Sequence, residues 1–237
     1  MLLEEVVKLF EALGGEFFTC PQVIQSRITQ LKAVIFDWDG VFNSGTKSKE
    51  IGSSFAEPDA AGTNYLRLGL WLLTGVMPKV FIITGEYNLS AFQLAQREHF
   101  NGVCFRFTEK MKALEWLSHC ESIAPQTTAF VFDDVLDLAI ASTCVLRIMV
   151  RRRASPLLAA YVKQNHLADY ITGCMGGEHA VRETCELILG LGNCYEKVLY
   201  HRINYSEQYQ QFLSAKKSIV PRFFTWQCDK VQEVFPT

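Results

Sequence analysis

The stretch Lys32-Ala33-Val34-Ile35-Phe36-Asp37-Trp38-Asp39-Gly40 constrains this chain most: an apolar run ends on two carboxylates one residue apart, followed by a glycine. Such a run reads as a buried strand delivering acids to a site. Side chains alternate along a strand, so as the chain leaves it and bends at Gly40, Asp37 and Asp39 can converge on one metal-sized space. Three further signals follow in order. Ile82-Ile83-Thr84-Gly85 closes a second apolar run, Lys110 opens a helical pattern, and Phe132-Asp133-Asp134, with Asp137, closes a third.

Around these signals, short strands alternate with helices. Strands are expected near 33–37, 80–84, 102–106, 128–132, 145–150 and 169–172, and helices near 60–74, 88–99, 109–121, 135–142, 156–166 and 178–190. This alternation predicts an α/β fold of three layers, Rossmann-like, with a parallel sheet covered on both faces. In open sheets of this kind a ligand sits beyond the carboxyl ends of the strands, where Asp37, Thr84 and Asp133 all fall. Apolar residues at Leu3, Val6, Val7, Phe10 and Leu13 have helical spacing, ending at Gly14-Gly15, and give a helical N-terminal extension over 1–30. The core is placed at 31–191. Residues 41–58 read as a small hairpin or flap in place of a large cap domain. Residues 192–237 are aromatic-rich, with Tyr195, Tyr200, Tyr209, Phe212, Phe224 and Trp226, and form a C-terminal extension that packs on the core or on another subunit.

With 237 residues, 49% of them apolar, the chain can bury one substantial core. A net charge of -2 gives no global pull toward nucleic acid or an anionic membrane. Eight scattered cysteines with no CxxC pair and no zinc spacing suit free thiols in a reducing cytoplasm. The early acids of the N-terminus predict no signal peptide, and no apolar run approaches the roughly 20 residues that span a bilayer.

Together, the ordered motifs resemble those of the haloacid dehalogenase superfamily of aspartyl-phosphate phosphohydrolases. Within it, residues 32 to 190 look like the small phosphatases of 3-deoxy-D-manno-octulosonate 8-phosphate and related sugar-acid phosphates. That closer likeness rests on the DxDG-Val opening, the flap-sized insert, the DDxxD form of the last acidic motif, and Asp169-Tyr170-Ile171-Thr172 leading to Gly176-Gly177 and Ala180-Val181-Arg182-Glu183. The resemblance implies a Mg²⁺-dependent phosphatase of a small phosphorylated metabolite, and a homotetramer in which a neighbouring subunit helps close the site.

The residues can be given roles in that chemistry. Asp37 is the candidate nucleophile, and Asp39 is placed to protonate the leaving alkoxide and later to take a proton from water. Two carboxylates and a phosphate dianion repel, so a hard cation is required between them. Asp37, Asp39 and Asp133, with Asp134 or Asp137, are candidates to hold it. Thr84 and Gly85 would meet the phosphoryl oxygens, and Lys110 supplies positive charge to nucleophile and phosphate. Lys112 is the competing lysine, and helical register favours Lys110. Asp59 and Arg151 are the further candidate substrate-binding residues.

Some positions depart from the family pattern. Glu86 stands where an arginine is usual after Thr-Gly, Pro58-Asp59-Ala60 where Arg-Asp-Gly is usual, and Glu178 where a basic residue follows Gly-Gly. Phe132 replaces a glycine, Leu136 an asparagine, and Arg151-Arg152-Arg153 a mostly neutral or acidic turn. The arginines either rebuild an anion site or form a solvated basic loop. A dehalogenase is disfavoured, because that chemistry needs no general acid equivalent to Asp39. A HAD-like scaffold without turnover, serving as a binding or assembly module, is the alternative that these departures keep open.

Overall fold

The computed structural model describes residues 1–48 and 52–235. Its centre is a sheet in the order β1-β7-β6-β5-β2-β3-β4-β8-β9. The strands are β1 Glu16–Phe17, β2 Ala33–Phe36, β3 Lys79–Ile83, β4 Gly102–Phe105, β5 Thr128–Phe132, β6 Leu146–Arg151, β7 Tyr170–Met175, β8 Arg222–Gln227 and β9 Lys230–Val234. From β7 to β8 all neighbours run parallel, and only the outermost strands, β1 and β9, are antiparallel to theirs. The apolar runs read as strands from sequence are thus the buried middle of this sheet. Alternation of side chains explains why they are apolar throughout: Val34 and Phe36 join one core cluster and Ala33 and Ile35 the other.

The helices are α1 Leu3–Ala12, α2 Pro21–Ile28, α3 Glu57–Thr74, α4 Leu89–Glu98, α5 Lys110–Cys120, α6 Leu138–Ala141, α7 Pro156–Gln164, α8 Ala180–Leu191, α9 Tyr195–Ile203 and α10 Glu207–Lys217. Residues of α3, α4 and α8 build one core with Phe36 and Ile82. Residues of α5 and α7 build the other with Phe130 and Phe132. The result is the three-layer arrangement expected from the alternating pattern.

The two terminal segments are integral to the sheet. β1, at the N-terminal side, pairs with β7, and β8 adds to the other end by pairing with β4 from Gly102↔Arg222 to Phe105↔Thr225. Tyr209, Phe212, Phe223 and Phe224 of this aromatic-rich segment therefore pack on the core of their own chain: Phe224 is fully buried, with its ring 4.2 Å from that of Trp116. Lys216 of α10 donates to Glu98 of α4 at 3.0 Å in a buried ion pair. Sequence reading missed these strands because Phe223-Phe224 is too short a run to separate from an amphipathic helix.

The region expected to form a flap carries one antiparallel bridge, with Ser48 N–H donating to Gly52 O at 2.8 Å and Gly52 N–H to Ser48 O at 3.2 Å. Residues 49–51 of that expected hairpin lie outside the described residues, as do 236–237. No large cap domain is seen among the described residues.

The burial of Phe224 generates a stability prediction. Phe224→Ala should cost about 3–5 kcal/mol, because an aromatic side chain is deleted from a closed core. Urea denaturation followed by tryptophan fluorescence measures it. A loss below about 1 kcal/mol would mean that the C-terminal strand contributes little to the fold.

Candidate active site

Three adjacent parallel strands place the site. Phe36 is paired with Ile82 of β3 and Val131 of β5, so the carboxyl ends of β2, β3 and β5 come out level. Asp37, Thr84 and Asp133 each follow the last residue of their strand. They share a cleft of about 310 Å³ with Asp39, Gly85, Glu86, Thr108, Lys110, Asp134 and Arg152.

The turn after β2 is fixed by its own residues. Gly40 adopts φ +86°, and a Cβ there would collide with the side chains of Asp133 and Arg152, so glycine alone fits. Asn43 holds the following turn, donating from Nδ2 to Trp38 O at 3.2 Å while its Oδ1 accepts from Gly45 N–H at 2.8 Å. Trp38, fully buried, stacks on Phe42 and donates from Nε1 to Ser53 Oγ at 3.1 Å. One residue to either side, the carboxylates of Asp37 and Asp39 reach the cleft.

The two acids have different surroundings. Asp37 accepts from Lys110 Nζ at 2.6 Å, and the same ammonium donates to Asp137 at 2.6 Å. Asp39 is held by neutral donors and by the flap: Asn88 Nδ2 donates to it at 3.2 Å, Ser53 Oγ donates to it, and Lys47 Nζ pairs with it at 3.0 Å. Asn88 also donates to Thr84 Oγ1 at 3.3 Å, joining Asp39 and Thr84 in one network.

Three buried carboxylates, those of Asp37, Asp133 and Asp137, have oxygens within 4.8 Å of one another. Like charges this close in a dry site strongly favour protons or a cation. Burial, reinforced by the Asp37 carboxylate, pushes the pKa of Asp133 up, although Arg152 opposes the shift. Burial and Asp37 likewise push Asp137 up, against Lys110. Burial opposes the charge on Lys110, yet Asp37 and Asp137 outweigh it and hold the ammonium charged. Among the described residues, Asp133 Oδ1 is buried without a hydrogen-bond partner. An orphaned carboxylate oxygen beside two other carboxylates suits a hard divalent cation, so the donor set fits Mg²⁺.

The candidate residues do not all converge. Asp134 lines the cleft, but its carboxylate accepts from Val135 N–H at 2.7 Å and caps the short 3₁₀ turn Val135–Asp137, so Asp137 completes the acidic group in its place. Asp59 is fully buried at the start of α3, where its Oδ1 accepts from Arg182 N–H at 2.9 Å, and it does not line the cleft. It caps α8 from outside, a favourable position for a carboxylate at a helix N-terminus. The Arg151 guanidinium is tied to Thr172 O, Gly14 O and Glu16, strapping β6 to β7 and the N-terminal segment. Its neighbour Arg152 is the arginine that enters the cleft, donating to Asp133.

Asn88, Ser53 and Lys47 were not singled out from sequence, and Arg152 was singled out only together with Arg151 and Arg153. Asn88 carried one signal, a cap-type residue just before a helical pattern. In the structure its side chain makes no cap bond and turns to Asp39. Ser53 and Lys47 lie in an aperiodic segment that carries no such signal.

No family model matches the chain. The 3-deoxy-D-manno-octulosonate 8-phosphate phosphatase KdsC of Salmonella typhimurium is 37% identical over 188 residues, covering 74% of this chain and 90% of that protein. A crystal structure of a 3-deoxy-D-manno-octulosonate 8-phosphate phosphatase from Yersinia pestis is 26% identical with a TM-score of 0.61, covering 73% of this chain and 89% of that one. A Moraxella catarrhalis phosphatase of the same name, in complex with magnesium, phosphate and KDO, shares the fold at 24% identity and a TM-score of 0.61, covering 75% of this chain and 96% of that one.

The acidic group makes stability depend on pH in a defined direction. A carboxyl whose pKa is higher in the folded state binds more protons folded than unfolded, so stability falls as pH rises through the interval between the two values. Asp133 and Asp137 are both raised, so metal-free protein should lose thermal stability from about pH 4 toward neutrality. Saturating Mg²⁺ should flatten that slope. Melting curves in chelator and in Mg²⁺ across this range test it, and equal slopes in both would contradict the assignment.

Proposed function

The chain belongs to the 3-deoxy-D-manno-octulosonate 8-phosphate phosphatase family and is a phosphatase; on that premise we propose that it is Mg²⁺-dependent and hydrolyses a small phosphorylated sugar acid through an aspartyl phosphate on Asp37. The observation that carries this reading is the meeting of Asp37, Asp39, Thr84, Lys110 and Asp133 in one cleft at the ends of adjacent parallel strands.

In this mechanism an Asp37 oxygen attacks the phosphorus of the bound monoester, and the leaving sugar alkoxide takes a proton from Asp39. Water then attacks the phosphorus of the aspartyl phosphate, with Asp39 accepting its proton, and phosphate leaves as Asp37 is regenerated. Lys110 aligns Asp37 by its 2.6 Å contact and offsets charge as phosphate enters. Thr84, with the backbone at Gly85, is the proposed contact for the phosphoryl oxygens. The Asn88 and Ser53 bonds orient the Asp39 carboxyl toward the same space. Asp37 and Asp133 are the proposed Mg²⁺ ligands, with Asp137 near them. When bound, the cation supplies charge neutralisation between the carboxylates and the phosphoryl group.

A homotetramer and a cytoplasmic location belong to the same proposal. Exposed Leu2 and Leu9 at α1, and Tyr200 and Ile203 on α9, support self-association. All eight cysteines are free thiols, which supports a reducing compartment. Among the described residues, no helix is long and apolar enough to cross a membrane.

One contact favours a second reading. The Arg152 guanidinium on Asp133 supplies positive charge where the cation is expected, as a scaffold without turnover would. Phosphate release from a panel of sugar, sugar-acid and nucleotide monophosphates separates the two. We expect Mg²⁺-dependent release, with a sugar-acid phosphate preferred, and a fall of at least about 10³-fold in Asp37→Asn, since the covalent route is then closed. Full activity in that variant would rule out Asp37 as nucleophile, and absence of both release and Mg²⁺ binding in the unaltered protein would favour the scaffold.

A further inference from the structure

Resting on the phosphatase reading, we propose that Arg152 is an exchangeable counter-ion: it pairs with Asp133 until a divalent cation binds there, and is then free to bind the carboxylate of the sugar-acid substrate.

The charges lining the cleft set up the exchange. Among the described residues, Asp37, Asp39, Glu86, Asp133 and Asp134 share that lining with the cations Lys110 and Arg152, while Lys47 of the flap pairs with Asp39. Lys110 is committed, its side chain 5% exposed and its ammonium shared between Asp37 and Asp137. Arg152 is 36% exposed on the loop that follows β6. Among the described residues its hydrogen-bond partner is Asp133, reached through Nη2, which leaves Nε and Nη1 without a protein partner. Its neighbours differ: Arg151 is tied to backbone carbonyls and Glu16, and Arg153 is exposed and does not line the catalytic cleft.

A divalent cation on the free Oδ1 of Asp133 would share that carboxylate with the guanidinium on Oδ2, and its double charge both weakens the pull on Arg152 and repels it. The released guanidinium need travel only a short way. Arg152 lines both the catalytic cleft and a second one of about 250 Å³, whose walls also include Gly40, Ser44, Arg151, Met175 and Gly176. A substrate with its phosphoryl group on Asp37 could extend its other end toward that second space. The planar fork of an arginine matches a carboxylate with two parallel hydrogen bonds, a fit that neither an ammonium nor an amide reproduces. On this account the cation both neutralises the phosphoryl site and unmasks the group that reads the substrate's second anion.

Calorimetric titration of the full chain and its R152Q variant tests both halves without relying on turnover. With Mg²⁺ as the sole titrant, R152Q should bind about two- to fivefold more tightly, the worth of a partly exposed ion pair no longer competing. With Mg²⁺ present, R152Q should lose about tenfold in affinity for free 3-deoxy-D-manno-octulosonate and much less for inorganic phosphate. Unchanged or weaker Mg²⁺ binding by R152Q would overturn the exchange. Equal losses for the sugar acid and for phosphate would overturn the carboxylate role. Absence of phosphate release from every monoester would count against the phosphatase reading and leave both binding comparisons decisive for Arg152.

Discussion

Mutual repulsion among three buried carboxylates is the constraint to which the rest of this structure answers. Asp37, Asp133 and Asp137 lie within 4.8 Å of one another, in a setting where burial makes each charge expensive. A fold selected only for stability would not gather them, because removing charge from such a cluster relieves both desolvation and repulsion. Here Lys110 bridges two of the three and Arg152 meets the third, so the cluster is partly balanced by the chain itself. The remaining imbalance, seen in the orphaned oxygen of Asp133, makes the place receptive to a divalent cation and, beside it, to a phosphate.

The parallel sheet is what allows this gathering. Strands whose ends come out level put the first residue beyond each strand into one space, and β2, β3 and β5 contribute Asp37, Thr84 and Asp133 there. Those contributions could be anticipated from the sequence because each follows an apolar run, and the end of such a run marks where a buried strand reaches solvent. The six central strands and the helices between them were readable for the same reason: burial on both faces leaves a strong, period-free apolar signal bounded by helical spacing.

Other parts of the site could not be read that way. The choice of Asp137 over Asp134 depends on which carboxylate caps the turn Val135–Asp137, and either spacing is compatible with DDxxD. Asp59 stands where the resembled family has Arg-Asp-Gly, but the α3–α8 packing buries it and gives its oxygen to the start of α8. In the run Arg151-Arg152-Arg153, β6 ends at Arg151, whose side chain is drawn toward β1 and β7, so the next residue faces the cleft. Strands β8 and β9 were hidden by mixed composition. Apart from the local cap made by Asp134, these outcomes are decided by pairing between segments far apart in sequence, and local pattern carries no record of it.

The central claim is that phosphoryl transfer passes through Asp37. Rapid quenching of the Mg²⁺-loaded enzyme during turnover of a sugar-acid phosphate, followed by borohydride reduction and peptide mass spectrometry, tests it most directly, since an acyl phosphate is reduced to the alcohol while a free carboxylate is not. The account predicts homoserine at position 37 and at none of Asp39, Asp133, Asp134 or Asp137. Turnover with every aspartate recovered unchanged, or homoserine at another of these positions, would contradict it.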